Sequence, residues 1–246
     1  QIDGASSEAE WSLVSGLGRI NYTLMDKYVF TGTFRADGSS RFGEQNRWGN
    51  FPSGAVAWNI HNESFMQDAA EVQQLRMRAS YGVTGNNQIG NYAHLGVVNS
   101  SDYVLGGSAA SGRVLSSMGN PRLSWEKTEE FNFGIDAVLY DRLDVAVDLY
   151  QRNTTQLLIN RELPLVAGFG SVTENTGNLR NRGMEVSMSA TNVQRENFRW
   201  NTDVTFALNR NEIVSLPGGN DIRYTDWPVE YLHREGQPMA SYVGFA

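Results

Sequence analysis

Apolar and polar residues alternate with a period of two along most of this chain, the repeat of a β-strand whose successive side chains point to opposite faces. From residue 13 to 24, Val14, Gly16, Gly18, Ile20, Tyr22 and Leu24 share one face, and Ser15, Leu17, Arg19, Asn21 and Thr23 the other. Tyr28, Phe30, Gly32 and Phe34 then alternate with Val29, Thr31, Thr33 and Arg35, and Val56, Trp58 and Ile60 with Ala55, Ala57 and Asn59. Leu75 to Val83 alternates with Arg76, Arg78, Ser80, Gly82 and Thr84. Four further runs follow the same rule: Phe131 to Leu139, Leu143 to Leu149, Met184 to Ala190 and Trp200 to Leu208. A ninth is expected to begin at Ala240. No apolar face of a run carries a charge.

One apolar face per strand suits a soluble sandwich as well as a membrane barrel. Three features favour the barrel. The clearest runs reach about 9–11 residues, the length of a tilted membrane strand rather than the usual soluble strand of about 5–6. Connections alternate between short ones, near Met25–Lys27, Tyr140–Arg142 and Asn192–Asn197, and long ones, near 37–50, 85–124, 153–180 and 212–239. Short turns on one side and long loops on the other are the habit of outer-membrane barrels. Finally, Tyr22, Tyr28, Trp58, Tyr140 and Trp200 all fall beside the shorter connections, where aromatic rings rest at a membrane interface. Residues 61–74 interrupt the short side and predict a turn or two of helix with Ser64 as N-cap.

Composition narrows the reading further. The 246 residues carry a formal charge of −7 with no Lys/Arg-rich run, which argues against nucleic acid as a partner. There is no cysteine, so disulfide scaffolds and thiolate metal sites are excluded. A mean hydropathy of −0.41 would be too polar for a helical membrane protein, yet it is compatible with strands apolar on one face only. Neither end shows a signal-like segment, and both ends are expected to be cut from a longer chain.

Four segments resemble, in order, the SusC/RagA-like branch of the TonB-dependent outer-membrane transporters. They are Asp37-Gly-Ser-Ser-Arg-Phe-Gly43 with Asn46-Arg-Trp-Gly-Asn-Phe-Pro-Ser53; Leu75-Arg-Met-Arg-Ala-Ser-Tyr-Gly-Val-Thr-Gly-Asn-Asn87 running on to Ile89-Gly-Asn-Tyr92; Asn120-Pro-Arg-Leu-Ser-Trp-Glu126; and Asn175-Thr-Gly-Asn-Leu-Arg-Asn-Arg-Gly-Met-Glu185. The resemblance covers nearly the whole chain. It implies a barrel of about 22 strands around a plug, importing oligosaccharides or peptides across the outer membrane. A SusD-like lipoprotein would cover its mouth, and TonB would pull on the plug. Residues 1–246 then form a partial, middle-to-late barrel segment of 8–9 strands, with neither plug nor TonB box, unable to transport alone.

Candidate functional residues fall in two groups. Loop aromatics Trp48, Tyr92, Tyr103, Trp125 and Trp227 are candidates for stacking on a sugar or peptide; the competing reading is that they pack the loops. On the polar face, Arg19, Arg35, Arg76 and Arg78 lie in early strands, and Glu130, Asp136, Asp144, Asp148, Glu185 and Asp203 in later ones. These are expected to face the lumen, where they line a solute path or simply pair across strands. Arg76 or Arg78 is expected to meet Glu130 or Asp136. The Asp37–Gly43 loop is read as a locally paired turn-rich segment in which Arg41 finds a nearby partner, or as a contact for substrate or partner.

Catalytic signals are poor. Ser124-Trp-Glu-Lys127 matches a bare Ser-x-x-Lys pattern without its companion motifs, and Gly168-Phe-Gly170 lacks the context of a phosphate loop. His61, His94 and His233 stand singly, so neither metal nor cofactor is expected. Two other classes compete with the transporter: a secreted soluble all-β carbohydrate-binding module, and an outer-membrane barrel enzyme.

Overall fold

The computed structural model describes residues 8–163, 165–226 and 229–243. Trp227, one of the candidate loop aromatics, lies outside them. Strands follow one another as β1 (Leu13–Leu24), β2 (Tyr28–Ser39), β3 (Trp48–Asn59), β4 (Val72–Asn86), β5 (Val97–Leu105), β6 (Ser108–Ser117), β7 (Glu126–Leu139), β8 (Leu143–Thr155), β9 (Leu158–Glu162), β10 (Ser171–Asn175), β11 (Asn178–Arg195), β12 (Phe198–Ser215), β13 (Ile222–Asp226), β14 (Val229–His233) and β15 (Ser241–Tyr242).

Eight of them, in the order β1-β2-β3-β4-β7-β8-β11-β12, form one antiparallel sheet. They are the eight runs of alternation; β1 coincides with its run, and the other seven are longer because the ladder continues beyond the apolar stretch: β11 and β12 both reach 18 residues. The register decides what the alternation achieves. Tyr22 pairs with Phe30, Phe30 with Val56, Val56 with Ala79, Ala79 with Phe133, Phe133 with Leu149, Leu149 with Met184, and Met184 with Leu208. Because paired residues share a face, every apolar run lies on the same side and merges into one band across eight strands.

That band is uncovered. Ile20 is 76% exposed, Phe131 52%, Phe206 52% and Leu149 45%, and no second sheet or helix packs over them among the described residues. A sandwich would bury this side in its own core. Among the described residues nothing supplies the second layer that a soluble module needs, and lipid is the solvent that suits such a face.

Two of the short turns are alike. Lys27 N–H donates to Leu24 O, and Arg142 N–H to Leu139 O, with positive φ at Met25 and Asp26 and again at Tyr140 and Asp141. Both central residues in the left-handed region is the two-residue hairpin geometry whose twist matches the strands. The helix expected over 61–74 is replaced by two 3-10 turns, Ile60–Asn62 and Ser64–Met66. Ser64 sits inside the second turn rather than capping a helix, and its predecessor Glu63 turns its carboxylate to the sheet instead.

The long loops carry hairpins of their own: β5–β6 between β4 and β7, and β9–β10 between β8 and β11. The strand expected from Ala240 is described as far as Val243, and its Ser241–Tyr242 pair joins β14 rather than β12. The main buried cluster is small and sits where these loops meet the ends of β3 and β4: Phe42, Leu123, Trp125 and Phe51, with Val83, Ile89, Ala93 and Leu158 packed against it.

Candidate functional site

The face opposite the apolar band carries the charges. All ten residues expected to face the lumen lie on it by register: Arg19 pairs with Thr33, Arg35 with Phe51, Arg76 with Asp136, Glu185 with Asp148, and Ser189 with both Asp144 and Asp203. At its centre Arg78 holds two carboxylates at once. Its Nε and Nη2 donate to Asp136 at 3.0 and 3.1 Å, and Nη2 also donates to Asp148 at 2.7 Å. Asp136 and Asp148 belong to different strands. Gly134 lies opposite Arg78 on β7, and Asp148 lies opposite Gly134 on β8. A Cβ at Gly134 would come within 2.6 Å of the guanidinium carbon, so the missing side chain is what lets Arg78 span two strands. The expected pairing is thus realised by Arg78 with Asp136, although Arg76 is the direct cross-strand neighbour of Asp136.

Glu130 pairs elsewhere, with Arg152 of β8, 2.8 Å from its Nη2. Arg152 was missing from the expected set, because the alternation read on β8 stops at Tyr150 and the strand runs on to Thr155. Arg35 donates from Nε to both oxygens of Asp37, each at 2.8 Å, and Arg19 donates to Thr33 Oγ1 at 3.1 Å. Asp203 accepts from Ser189 Oγ. Apart from Arg35–Asp37, which lies within β2, these contacts brace the wall across strands.

At the long-loop end the four motif segments converge. Ser39 is fully buried; its hydroxyl accepts from Asn87 Nδ2 at 3.0 Å. Arg41 donates to Asn91 Oδ1 and to Asn87 O, and its guanidinium lies 4.3 Å from the Trp11 ring centroid. His94 Nδ1 is 2.9 Å from Arg41 O. The Asp37–Gly43 segment is therefore paired, but mainly with the loop after β4 rather than within itself: the side-chain partners of Arg41 lie 46 and 50 residues further along the chain. Asn175 clasps Ser124 from both sides, accepting from its N–H at 2.7 Å and donating to its carbonyl at 2.8 Å. Asn120 Nδ2 donates to Thr173 O, and Glu126 accepts from Asn86 Nδ2 and from Leu158 N–H. Phe51 wedges between β3 and β4 where Gly49 and Gly85 leave space; a Cβ on either glycine would collide with its ring.

Trp125 corrects an expectation. It is 4% exposed, tilted against Phe42 at 5.4 Å and edge-on to Phe51 at 5.3 Å, and its Nε1 donates to Arg47 O. At 4% exposure its indole is enclosed by the loop core and has no surface on which to stack a ligand. Tyr92 (44% exposed) and Tyr103 (51%) remain open; Trp48 (59%) is exposed too, but it is the first residue of β3 rather than a loop residue, and its register opposite Gly38 puts it on the side of the apolar band.

At the short-turn end one carboxylate organises the rim. Glu63 accepts from Lys27 Nζ at 2.8 Å, Tyr28 Oη at 2.8 Å and Trp58 Nε1 at 3.0 Å. These three donors, the lysine foremost, hold its carboxyl at about 2, well below the usual carboxylate range. Tyr28 and Trp58 stack with centroids 6.3 Å apart, which sets two girdle aromatics side by side. Sequence reasoning placed both rings but missed Glu63, whose role depends on a turn it does not share with them.

Residues 5–238 match the family described as TonB dependent receptor-like, beta-barrel. The TonB-dependent receptor P3 of Formosa agariphila is 39% identical over 243 residues, covering 96% of this chain and 24% of that protein. The TonB-dependent receptor SusC of Bacteroides thetaiotaomicron is 40% identical over 220 residues, covering 87% of this chain and 22% of that protein. The RagAB peptide importer in its closed-closed state superposes with a TM-score of 0.86 at 35% identity, over 95% of this chain and 25% of that one. The chain thus spans about a quarter of the length of the relatives it matches. With its uncovered apolar band, charged opposite face and interlocked loops, the chain belongs to the TonB-dependent receptor-like β-barrel family, as part of a SusC-like barrel of the outer membrane.

Proposed function

We propose that these residues form part of the wall of an energy-coupled importer that carries large nutrients, oligosaccharides or peptides, across the outer membrane. The observation that carries this reading is the two-sidedness of the sheet: one face apolar and uncovered across eight strands, the other lined with paired charges. Two related structures are titled as peptide importers, and one relative bears the name SusC, which supports transport rather than catalysis. On this reading the ten polar-face residues look into the lumen, and Tyr92 and Tyr103 at the long-loop end meet the solute or a SusD-like lipoprotein. β1 and β12 each have a single neighbour in the sheet. In hydrocarbon an unpaired strand edge is untenable, so both edges meet further strands of a wider barrel. A plug pulled by TonB completes the machine.

Deletion of the gene for the full-length protein tests this directly. Growth on individual polysaccharides and peptides as sole nutrient should fail for one cargo class, return on complementation, and fail again when TonB is absent. Unimpaired growth on every polysaccharide and peptide would remove the import reading.

A further inference from the structure

On the apolar side of the sheet, β11 and β12 continue past their last apolar pair, Met184 and Leu208, into Arg182 and Arg210, which face each other across the ladder. Arg180 is the next residue on that side. Like charges directly opposite each other are destabilising in a sheet. Here neither arginine forms an ion pair or hydrogen bond among the described residues, and both are exposed. Arg182 is flanked on both sides within this chain: by Arg210 on β12 and by Gln151 on β8, neither of them acidic. Arg180 donates to Asn153 Oδ1 at 3.3 Å and makes a long ion pair, 3.8 Å, with Glu212, which faces it across the ladder. Arg180, Arg182 and Arg210 line one concavity of about 570 Å³ together with Glu212, Asn209 and Asn211 and with Gly236 and Pro238 of the following segment.

Height identifies the occupant. Trp200 marks the short-turn interface on β12, and Arg210 is ten residues further along the strand. Ten residues of tilted strand rise about 25 Å, the height of the apolar band of an outer-membrane barrel. Arg210 and its cross-strand partner Arg182 therefore stand where outer-leaflet headgroups begin, on the side that faces lipid. Guanidinium groups in pairs match phosphate through bidentate hydrogen bonds.

We infer that Arg182 and Arg210, seconded by Arg180, bind the phosphate of an outer-leaflet glycolipid headgroup. The anion relieves the repulsion between the facing arginines, and the apolar band below them takes the acyl chains. The inference rests on the outer-membrane placement and is independent of whether the barrel imports anything.

The test uses the full-length protein in phosphatidylethanolamine nanodiscs containing either phosphorylated lipid A or the same lipid with its phosphates removed. Native mass spectrometry reads the lipid retained. The phosphorylated form should be retained about tenfold more. That preference should vanish in R182Q/R210Q and persist in part in R182K/R210K, which keeps the charge without the fork. Millimolar inorganic phosphate should not displace the lipid. Equal retention of the two lipids by the unmodified protein overturns the proposal, whatever the variants do. So does displacement by inorganic phosphate, which makes this a free-phosphate site. A change in oligomeric state in R182Q/R210Q with unchanged lipid preference also overturns it, and assigns the surface to a second copy of the chain.

Discussion

Glu63 shows how far one carboxylate can tie a turn to a sheet. Its three donors come from a turn and two strands, and they favour the ionised form. With a folded value of about 2 against 4.5 for the free group, its contribution to stability is complete above pH 4.5 and disappears as the pH falls through 2. The melting temperature, followed by tryptophan fluorescence, should fall more steeply between pH 4.5 and 2 in the unmodified protein than in Glu63→Gln. Identical slopes would show that Glu63 is not linked to folding. Gly85 is the counterpart at the other end. Gly85→Ala puts a methyl group into the Phe51 ring and should cost about 1–3 kcal/mol in denaturant titrations, the usual penalty for overpacking. Gly82→Ala, whose Cβ meets only the Ser53 side chain at 3.2 Å, should cost less. Neither glycine can be ranked from sequence, where both read as members of one glycine-rich strand. The difference lies in what the neighbouring strand brings against them.

The strands obey the alternation so closely that neighbouring residues should answer differently to one charge. Val147 and Ala146 are adjacent on β8, Val147 on the apolar band and Ala146 on the charged face. Val147→Lys should destabilise the barrel by about 2–4 kcal/mol near the bilayer midplane, and Ala146→Lys far less. Urea titrations of the full-length protein refolded into lipid vesicles measure both, and equal losses would mean that the two faces see the same solvent. Period two is visible without knowing which strands pair, so the eight strands and their faces were legible from residue order alone. The β5–β6 hairpin was not. Val97–Leu105 reads Val-Val-Asn-Ser-Ser-Asp-Tyr-Val-Leu, with no sustained alternation, and every described residue in it is exposed. The 3-10 turns after β3 were hidden for a different reason: helix-permissive residues were present, but the chain there is fixed by Ile60 burial and by Glu63 reaching back to the sheet.

At the scale of the molecule, the uncovered band separates a membrane wall from a soluble sandwich, and this much the pattern foretold. The candidate site was less legible, because pairing across strands depends on register. Arg78 reaches Asp148 through the gap at Gly134, two strands away, and Trp125 turned inward to join Phe42 and Phe51. The interlocked long-loop segments have one more consequence. Asn87, Asn91, Asn120 and Asn175, together with Ser39 and Arg41, form a single joint across three separate loops. Such a joint yields only if several part-buried hydrogen bonds break together. The rim therefore behaves as a fixed collar from which the β5–β6 and β9–β10 hairpins project, and changes of length or sequence in those projections should leave the collar that seats them intact.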